Sequence, residues 1–329
     1  MKRLDYYWYT RSPWLVLLTP VSLVYRLAIW LRRLAYRSGL ARSHRLEVPV
    51  IVVGNITVGG TGKTPLVAWL AGYLQSRGYR PGIISRGYGG RARHWPQQVR
   101  PDSDPGMVGD EPVLLAGITG CPMVVAPKRV AAARALLEHN DCNVIISDDG
   151  LQHYALQRDL EIVVIDGIRR FGTGFSLPAG PMREPVKRLQ EVDLVVVNGL
   201  GSGPEHPMRM LPGEAHNLKD PSLTRELSGF RSQAVHAVAG IGNPERFFQT
   251  LQLAGMQVTG HAFPDHHRFT PADIRFGDGR PVLMTGKDAV KCRSFASEHD
   301  WYVPVRAEMS AEFSAQLDAL LEARLQATK

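Results

Sequence analysis

A glycine-rich segment near the start of the chain carries the residues best suited to bind phosphate. It reads Thr57-Val-Gly-Gly-Thr-Gly-Lys-Thr64, which fits GxxxxGK[ST] except that Thr57 replaces the first glycine. In such a loop the backbone N–H groups approach phosphate oxygens, the lysine reaches the β- and γ-phosphates, and the last hydroxyl binds Mg²⁺. An ordinary glycine turn is the alternative. The pattern predicts ATP binding by Thr57, Val58, Gly59, Gly60, Thr61, Gly62, Lys63 and Thr64, with Lys63 also catalytic.

Two carboxylates follow an apolar run further along the chain. Asn143-Val-Ile-Ile-Ser ends at Asp148 and Asp149, as in a strand that delivers a metal-binding acid. Together with Thr64 they form the predicted Mg²⁺ ligands, and Gln152 and His153 follow close to the same site. A turn or helix-capping role is the alternative for the two aspartates.

Phosphoryl transfer also needs a group that orients and deprotonates the acceptor hydroxyl. Asp110, within Gly109-Asp-Glu-Pro112, is one candidate, and His266, within Phe263-Pro-Asp-His-His267, is another. Asp110 could instead cap a helix that begins near Pro112, and His266 could bind a metal or face solvent. These residues alone leave the choice open.

The surrounding pattern alternates between strand-like and helix-like segments. A β-branched run at 47–54 precedes the glycine-rich loop and a helix is predicted at 65–79; the other predictions are strands at 81–85, 123–126, 160–166 and 193–198 and a helix at 128–139. This alternation predicts an α/β fold with a P-loop NTPase-like, doubly wound parallel sheet. Ligands bind such sheets beyond the carboxyl ends of the strands.

Glycine and proline residues interrupt the strand and helix pattern between residues 201 and 232, where we expect a domain boundary. Residues 46–232 are then a kinase-type domain. Residues 233–329 are a smaller α/β lid and substrate domain that brings His266 to the phosphates by closure. Its predicted elements are strands at 234–240, 257–262, 281–285 and 301–305 and a final helix striped by Phe313, Leu317, Leu320, Leu321 and Leu325.

The net charge of +8 lies in the N-terminal segment, residues 1–45, which hold nine basic residues and one acid. The remaining chain has thirty basic and thirty acidic residues, so a nucleic-acid-binding surface is not expected. The apolar run of the N-terminal segment, residues 14–25, is interrupted by Pro20 and is shorter than the ~20 residues of a membrane span.

From Arg26 onward, Leu27, Leu31 and Leu34 share one helical face while arginines occupy another. Aromatic and arginine side chains favour a membrane interface, so residues 1–45 are predicted to be peripheral membrane-associated helices. A signal peptide and helices packed in the protein core are the alternatives.

Composition excludes other classes of protein. Hydrophobic residues make up 44% and charged residues 21% of the chain, unlike a disordered or fibrous protein. The three cysteines, Cys121, Cys142 and Cys292, form no CxxC pair, which argues against a disulfide scaffold or a cysteine zinc site and favours a reducing compartment.

Several short motifs in one order resemble the tetraacyldisaccharide 4′-kinase family of Gram-negative bacteria. They are Gly59-Gly-Thr-Gly-Lys-Thr-Pro65, Ser85-Arg-Gly-Tyr-Gly89, Gly109-Asp-Glu-Pro112, Asp148-Asp-Gly-Leu-Gln-His153, Pro178-Ala-Gly-Pro-Met-Arg-Glu-Pro185, Ala239-Gly-Ile-Gly-Asn-Pro244 and Phe263-Pro-Asp-His266. The resemblance implies transfer of the ATP γ-phosphate to the 4′-hydroxyl of tetraacyldisaccharide 1-phosphate, forming lipid IVA in lipid A biosynthesis. It implies a peripheral enzyme at the cytoplasmic face of the inner membrane, with no obligate protein partner.

The resemblance also implies roles for individual residues. Asp110 becomes the catalytic base and His266 its partner, and Thr64, Asp148 and Asp149 handle Mg²⁺. The active-site rim comprises Glu111, Gln152, His153, Arg183 and Glu184. One departure is Thr285-Gly-Lys-Asp288, where the family usually has Thr-Glu-Lys-Asp.

Two other classes of function compete with this reading. A membrane-associated NTPase switch or metallochaperone typically has a lysine directly before the glycine pair, where this chain has Val58. A nucleotide-binding module without catalysis is the other. Turnover of nucleotide without a lipid would favour the switch, and tight ATP binding without turnover would favour the module.

Overall fold

The computed structural model of the chain describes residues 4–10 and 13–325. Three basic residues of the predicted membrane segment, Lys2, Arg3 and Arg11, lie outside the described residues, as does the side chain of Leu325.

In chain order the strands are β1 (Val50–Gly54), β2 (Pro81–Ser85), β3 (Gln97–Val99), β4 (Met123–Val125), β5 (Val144–Asp148), β6 (Leu160–Asp166), β7 (Leu194–Asn198), β8 (His206–Pro212), β9 (Ala215–Asn217), β10 (Thr224–Arg225), β11 (Ala234–Ala239), β12 (Gln257–Ala262), β13 (Val282–Thr285), β14 (Asp300–Val303) and β15 (Val305–Met309).

Helices connect most of these strands. In chain order they are α1 (Leu4–Tyr7), α2 (Thr19–Arg37), α3 (Lys63–Ser76), α4 (Pro105–Val108), α5 (Asp110–Thr119), α6 (Arg129–His139), α7 (Pro244–Leu253), α8 (Pro271–Ile274), α9 (Gly286–Cys292) and α10 (Ala311–Leu325). Short 3₁₀ helices lie at Pro13–Leu18, Val186–Glu191, Leu227–Phe230 and Arg293–Phe295.

Nine strands form the large sheet, in the order β15-β8-β7-β6-β1-β5-β2-β4-β3. The strands from β8 through β4 pair in parallel, and the two edge strands, β15 and β3, are antiparallel. The glycine-rich loop follows β1 near the middle of this sheet, at the carboxyl ends of the parallel strands. This arrangement confirms the predicted parallel α/β fold.

Side chains alternate across the large sheet because successive residues of a strand point to opposite faces. Along β1, Ile51 and Val53 join a core with Leu66 and Leu70 of α3. Val50 and Val52 join a second core, which includes Ala132 and Leu136 of α6. Both faces are therefore covered by helices, as expected of a doubly wound sheet.

A six-stranded small sheet has the order β10-β9-β14-β13-β11-β12. Its four later strands are parallel to one another, whereas β9 and β10 are antiparallel. Helix α7 packs Phe247, Phe248 and Leu251 against this sheet. We call this sheet and its helices the small-sheet unit and the nine-stranded sheet with its helices the large-sheet unit.

The two units do not divide at one point of the sequence, in contrast to the expected boundary at 232/233. Residues 215–225 supply β9 and β10 of the small sheet, although a domain boundary was expected between residues 201 and 232. Conversely, β15 pairs antiparallel with β8, and α10 buries Phe313, Leu317 and Leu321 in the core that contains α3. The leucine stripe predicted the last helix correctly, but a stripe does not encode which sheet it covers.

The N-terminal segment also differs from its prediction. Pro20 was expected to interrupt the apolar run, yet α2 begins at Thr19, because proline is well tolerated in the first turn of a helix. With the preceding 3₁₀ turn, helix spans residues 13–37, which by length and composition suffices to cross a membrane. The helix is therefore longer than the amphipathic stretch that the sequence predicted from Arg26.

Candidate active site

The glycine-rich loop wraps the start of α3. Gly59 and Gly62 have φ values of 101° and 99°, a conformation that residues with a side chain rarely adopt. At Gly62 a Cβ atom would lie 2.9 Å from the Asn198 side-chain nitrogen. Lys63 is the first residue of α3, so its side chain and the free N–H groups of the helix N-terminus lie together.

The first residues of the loop, Thr57 and Val58, contact the backbone of the segment at Pro181 and Met182. The Val58 backbone N–H donates to the Pro181 carbonyl oxygen at 2.9 Å, and Thr57 forms an isolated bridge with Met182. Gly59 and Gly60 are exposed at the loop surface. The Val58 backbone donor, which the sequence predicted to bind phosphate, is therefore already occupied within the protein.

Lys63, Asp149 and Arg183 form a charged cluster beside this loop. The Lys63 Nζ atom lies 3.4 Å from Asp149 Oδ1, and an Arg183 guanidinium nitrogen lies 3.1 Å from both Asp149 oxygens. Burial raises the pKa of the Asp149 carboxyl, but the charges of Lys63 and Arg183 outweigh this and lower it far below its usual value. Asp149 is therefore an anion held between two cations.

Asp148 differs from Asp149 because it is almost fully buried and one hydrogen-bond donor, the Ser85 hydroxyl, contacts its carboxylate. Ser85 donates a hydrogen bond to Oδ2 at 3.2 Å, whereas Oδ1 has no hydrogen-bond partner among the described residues. Burial, followed by the negative charges of Glu111 and Asp149, raises the pKa of the Asp148 carboxyl. A buried carboxylate with an unused oxygen is a good ligand for a hard divalent cation.

A buried arginine supports both aspartates. The Arg129 guanidinium donates to the carbonyl oxygens of Asp148 and Asp149 at 3.2 and 3.3 Å. Burial lowers its pKa to about 10, against the opposing charges of the two aspartates, so it stays cationic at neutral pH. The sequence analysis did not single out Arg129, because nothing in the helix at 128–139 distinguishes it from a surface arginine.

Asp110 and His266 meet across the junction of the two units. Asp110 begins α5 and its side chain is 6% exposed, whereas His266 follows β12 of the small sheet. The His266 Nδ1 atom lies 3.1 Å from both Asp110 carboxylate oxygens. Gly109 occupies the helix-capping position, and the backbone N–H of the next residue, Glu111, donates to Asp110 Oδ1 at 2.9 Å.

The charges around this pair favour an ionised aspartate. Burial raises the pKa of the Asp110 carboxyl, but the hydrogen bond with His266 and the cations Lys287 and Lys291 bring it to about 2. The Asp110 hydrogen bond in turn raises the pKa of His266. The two groups therefore favour a carboxylate beside an imidazolium.

The α9 helix brings both lysines to the junction. Lys287 Nζ lies 2.8 Å from Glu111 Oε1 and 3.0 Å from Asp265 Oδ1, so it joins the two units. Lys291 Nζ lies 3.7 Å from Asp110 Oδ2. The sequence analysis predicted no role in the site for either lysine, although it quoted Lys287 within the Thr285-Gly-Lys-Asp288 motif.

The other predicted rim residues form a buried network. Glu184 is fully buried; its oxygens accept from Gln152 at 2.8 Å and from the Tyr154 hydroxyl at 2.7 Å. Burial, then the charges of Arg129 and Arg86, lowers the pKa of His153 to about 3, so His153 is neutral. Glu184 and Gln152 thus hold the segment that carries Arg183, and Gln152 also donates to the Asn55 carbonyl beside the loop.

The small-sheet unit also reaches the glycine-rich loop. Arg246 of α7 donates to Asn198 Oδ1 at 3.0 Å, and the Asn198 amide donates to the Thr61 carbonyl at 3.2 Å. Gly242 lies so close that a Cβ there would be 3.5 Å from the Gly60 nitrogen. The sequence placed Gly242 in a motif but gave no signal for Asn198 or Arg246.

A cavity of about 1000 Å³ opens beside the Asp110–His266 pair. Its walls combine apolar side chains, such as Met107 and Phe269, with cationic ones, such as Arg91 and Lys291. The site therefore has two halves, the glycine-rich loop in the large-sheet unit and the Asp110–His266 pair at the junction, with a cavity beside the pair.

A comparison with protein families matches residues 14–322 to the model for tetraacyldisaccharide-1-P 4′-kinase, LpxK. The chain belongs to this family. The match covers the loop, the Asp148–Asp149 pair, Asp110 and His266, and it confirms the resemblance that the sequence motifs carried.

Named relatives and a solved structure agree with the family. The tetraacyldisaccharide 4′-kinases of Nitrosococcus oceani and Methylobacillus flagellatus are 57% and 53% identical to this chain. These alignments cover 93% of this chain and 90% and 92% of those proteins. A crystal structure of "apo" form LpxK from Aquifex aeolicus in complex with ATP superposes with a TM-score of 0.79 at 27% identity, covering 94% of this chain and 99% of that one.

Proposed function

We propose that the chain transfers the γ-phosphate of ATP to the 4′-hydroxyl of tetraacyldisaccharide 1-phosphate, using the two halves of the site described above. Membership of the family makes it a tetraacyldisaccharide 4′-kinase. The observation that carries the residue assignment is the Asp110–His266 pair, which faces a large cavity and belongs to the same junction as the glycine-rich loop.

The donor half binds the ATP phosphates. The backbone from Gly59 to Thr64 cradles them, and Lys63 stabilises the charge that develops on the γ-phosphate. Lys63 also pairs with Asp149, so it lies between an anionic side chain and the loop that cradles the phosphates. Arg183 holds Asp149 from the other side.

Thr64, Asp148 and Asp149 would hold Mg²⁺, which neutralises phosphate charge in such sites. The unpaired Asp148 Oδ1 fits this role, since a cation would supply its missing partner. Within residues 4–10 and 13–325, no three His, Cys, Asp or Glu side chains cluster as a metal site of their own. We therefore expect the affinity for Mg²⁺ to depend on bound ATP.

The acceptor half orients the sugar hydroxyl. Asp110 accepts a hydrogen bond from the 4′-hydroxyl and takes its proton as the new O–P bond forms. Since the transition state of phosphoryl transfer is loose, the hydroxyl proton leaves late, and a weakly basic carboxylate with a pKa of about 2 suffices as the orienting group. His266 holds this carboxylate in place and balances its charge.

The N-terminal helix is proposed to lie on the membrane surface rather than across it. Its outer face exposes apolar side chains, including Trp14 at 72% and Val24 at 68%. Its inner face is fixed to the large-sheet unit at both ends: Ser22 donates to the Ser176 carbonyl at 2.9 Å, and Arg37 pairs with Glu191 at 2.7 Å. A helix attached over four turns presents one face to lipid.

We infer that this membrane is the inner membrane and that the enzyme acts at its cytoplasmic face. All three cysteines are free and buried, as is common in a reducing compartment. Peripheral attachment through α2 places the site beside an acceptor whose acyl chains stay in the bilayer. No obligate protein partner is proposed.

The test is to incubate the purified protein with MgATP and detergent-dispersed tetraacyldisaccharide 1-phosphate and to measure the lipid by mass spectrometry. One added phosphate is expected for the wild type and none for Lys63→Met. A matched acceptor that lacks the 4′-hydroxyl should stay unmodified. Phosphate on that acceptor, or hydrolysis of ATP without any lipid product, would contradict the proposal.

A further inference from the structure

Helix α9 of the small-sheet unit packs against α5 of the large-sheet unit and faces the start of α5 with two lysines. Lys287 and Lys291 are four residues apart, so they lie on the same side of the helix. Lys287 pairs with Glu111, whereas Lys291 lies 3.7 Å from Asp110 Oδ2. Each of the two adjacent carboxylates of α5 therefore lies within 4 Å of a lysine of α9.

The Lys291 ammonium is fixed by a buried chain of contacts. Its Nζ atom lies 2.8 Å from Asp288 Oδ1 and 4.9 Å from the centre of the Phe269 ring, and the side chain is 11% exposed. Asp288 is fully buried and accepts hydrogen bonds from the Thr285 hydroxyl at 2.6 Å and the Gly240 backbone N–H at 3.0 Å. The core of the small-sheet unit thus sets where this ammonium lies.

Asp110 is consequently held from three directions. The Glu111 backbone N–H binds Oδ1, His266 Nδ1 approaches both oxygens, and Lys291 lies nearest Oδ2. A buried ammonium pays a large desolvation cost unless its anionic partners are placed for it.

We propose that Lys291 is a positioning residue, which fixes the Asp110 carboxylate for the transfer step. This proposal rests on the role of Asp110 given above. It also assigns a function to α9 as the element through which the small-sheet unit sets the geometry of the acceptor half.

Replacing Lys291 should change the pH dependence of kcat in a predictable direction. The charged groups that act on Asp110 are His266, Lys287 and Lys291, and Lys287 is also paired with Glu111, the next residue of α5. Both lysines lower the pKa of Asp110, so loss of Lys291 raises that pKa. The acid limb of the kcat profile therefore moves to higher pH, and the direction would not follow from a purely structural role.

The first experiment compares Lys291→Met, Lys291→Arg and the wild type in the lipid phosphorylation assay. For Lys291→Met we expect kcat to fall by about ten- to a hundredfold, the KM for ATP to stay within about twofold, and the acid limb to move upward. Lys291→Arg should restore most of kcat. Lys219→Met, at an exposed lysine after β9, controls for the loss of one positive charge and should behave as wild type.

The deciding experiment is a double-variant cycle with Asp110→Asn. If Lys291 acts through Asp110, Lys291→Met causes little further loss of kcat once Asp110 is replaced. Losses that multiply would overturn the proposal, as would a Lys291→Met enzyme with unchanged kcat and pH profile. Full activity of Asp110→Asn alone would instead refute the proposed function, so the two failures are distinguishable.

Discussion

The two halves of the site are built in different ways. The donor half comes mainly from one continuous segment, Thr57–Thr64, and its lysine meets Asp149 within the large-sheet unit. The acceptor half joins Asp110 and His266, which are 156 residues apart and belong to different sheets. The donor half can thus exist within one unit, whereas the acceptor half exists only while the two units are packed together.

The largest effect that tests this difference is expected for Asp110→Asn. The variant keeps the size of the side chain but removes the charge and the proton acceptor, so kcat for lipid phosphorylation should fall by about a hundredfold or more. The KM for ATP should change little, because the donor half is intact. Steady-state kinetics with varied ATP measures both, and an equal loss of ATP affinity would show that the halves are not separate.

A second test concerns the segment that returns to the large-sheet unit at the end of the chain. Phe313 of α10 is fully buried against α3, so Phe313→Ala should lower the free energy of unfolding by about 3–5 kcal/mol. Leu223→Ala, at a half-exposed leucine, is the control and should change it by less than about 0.5 kcal/mol. Urea unfolding measures both; equal small effects would contradict the packing of α10.

A third test measures how the free energy of unfolding depends on pH, because this reports the charge of Asp110 at the junction. The pKa of Asp110 falls on folding from 3.8 to about 2, so ionised Asp110 stabilises the fold above its unfolded pKa. This stabilisation of about 2 kcal/mol is lost as the pH drops from about 4 to about 2. The difference in unfolding free energy between wild type and Asp110→Asn should therefore shrink over that range, and a constant difference would contradict the assignment.

The smallest of these effects is expected at the membrane face. Leu27 on the outer side of α2 is 55% exposed, and Leu27→Glu should weaken binding to anionic vesicles several-fold, since burial in lipid of the exposed half of the leucine, worth about 1 kcal/mol, is lost. Leu253→Glu is the matched control, because Leu253 is 89% exposed on α7 of the small-sheet unit. Vesicle sedimentation measures both variants, and equal weakening would mean that α2 is not the attachment site.

The sequence predicted the elements of the donor half because its signals are local. The strands at Pro81–Ser85 and Leu160–Asp166 have the predicted bounds, and the loop between β1 and α3 follows directly from the spacing of its glycines and lysine. Local pattern cannot show that Val58 donates to Pro181, because that contact joins distant segments.

The prediction of the acceptor half depended on the resemblance to a family, because a single aspartate or histidine can also cap a helix or face solvent. Lys291 carried no signal, since its importance arises from Asp288, Gly240 and Phe269, which only the folded small-sheet unit brings around it. The return of β15 and α10 to the large sheet was missed for the same reason. Helical and strand periods report which face is apolar but not which partner covers it.

The most direct test of the account is to measure ATP affinity and lipid product on the same preparations of wild type, Lys63→Met and Asp110→Asn. Calorimetry gives the Kd for ATP, and mass spectrometry gives the phosphorylated lipid. We predict that Lys63→Met loses both, whereas Asp110→Asn keeps the wild-type Kd and loses the product. An Asp110→Asn enzyme that forms product at the wild-type rate would contradict the claim that the acceptor half is assembled from both units.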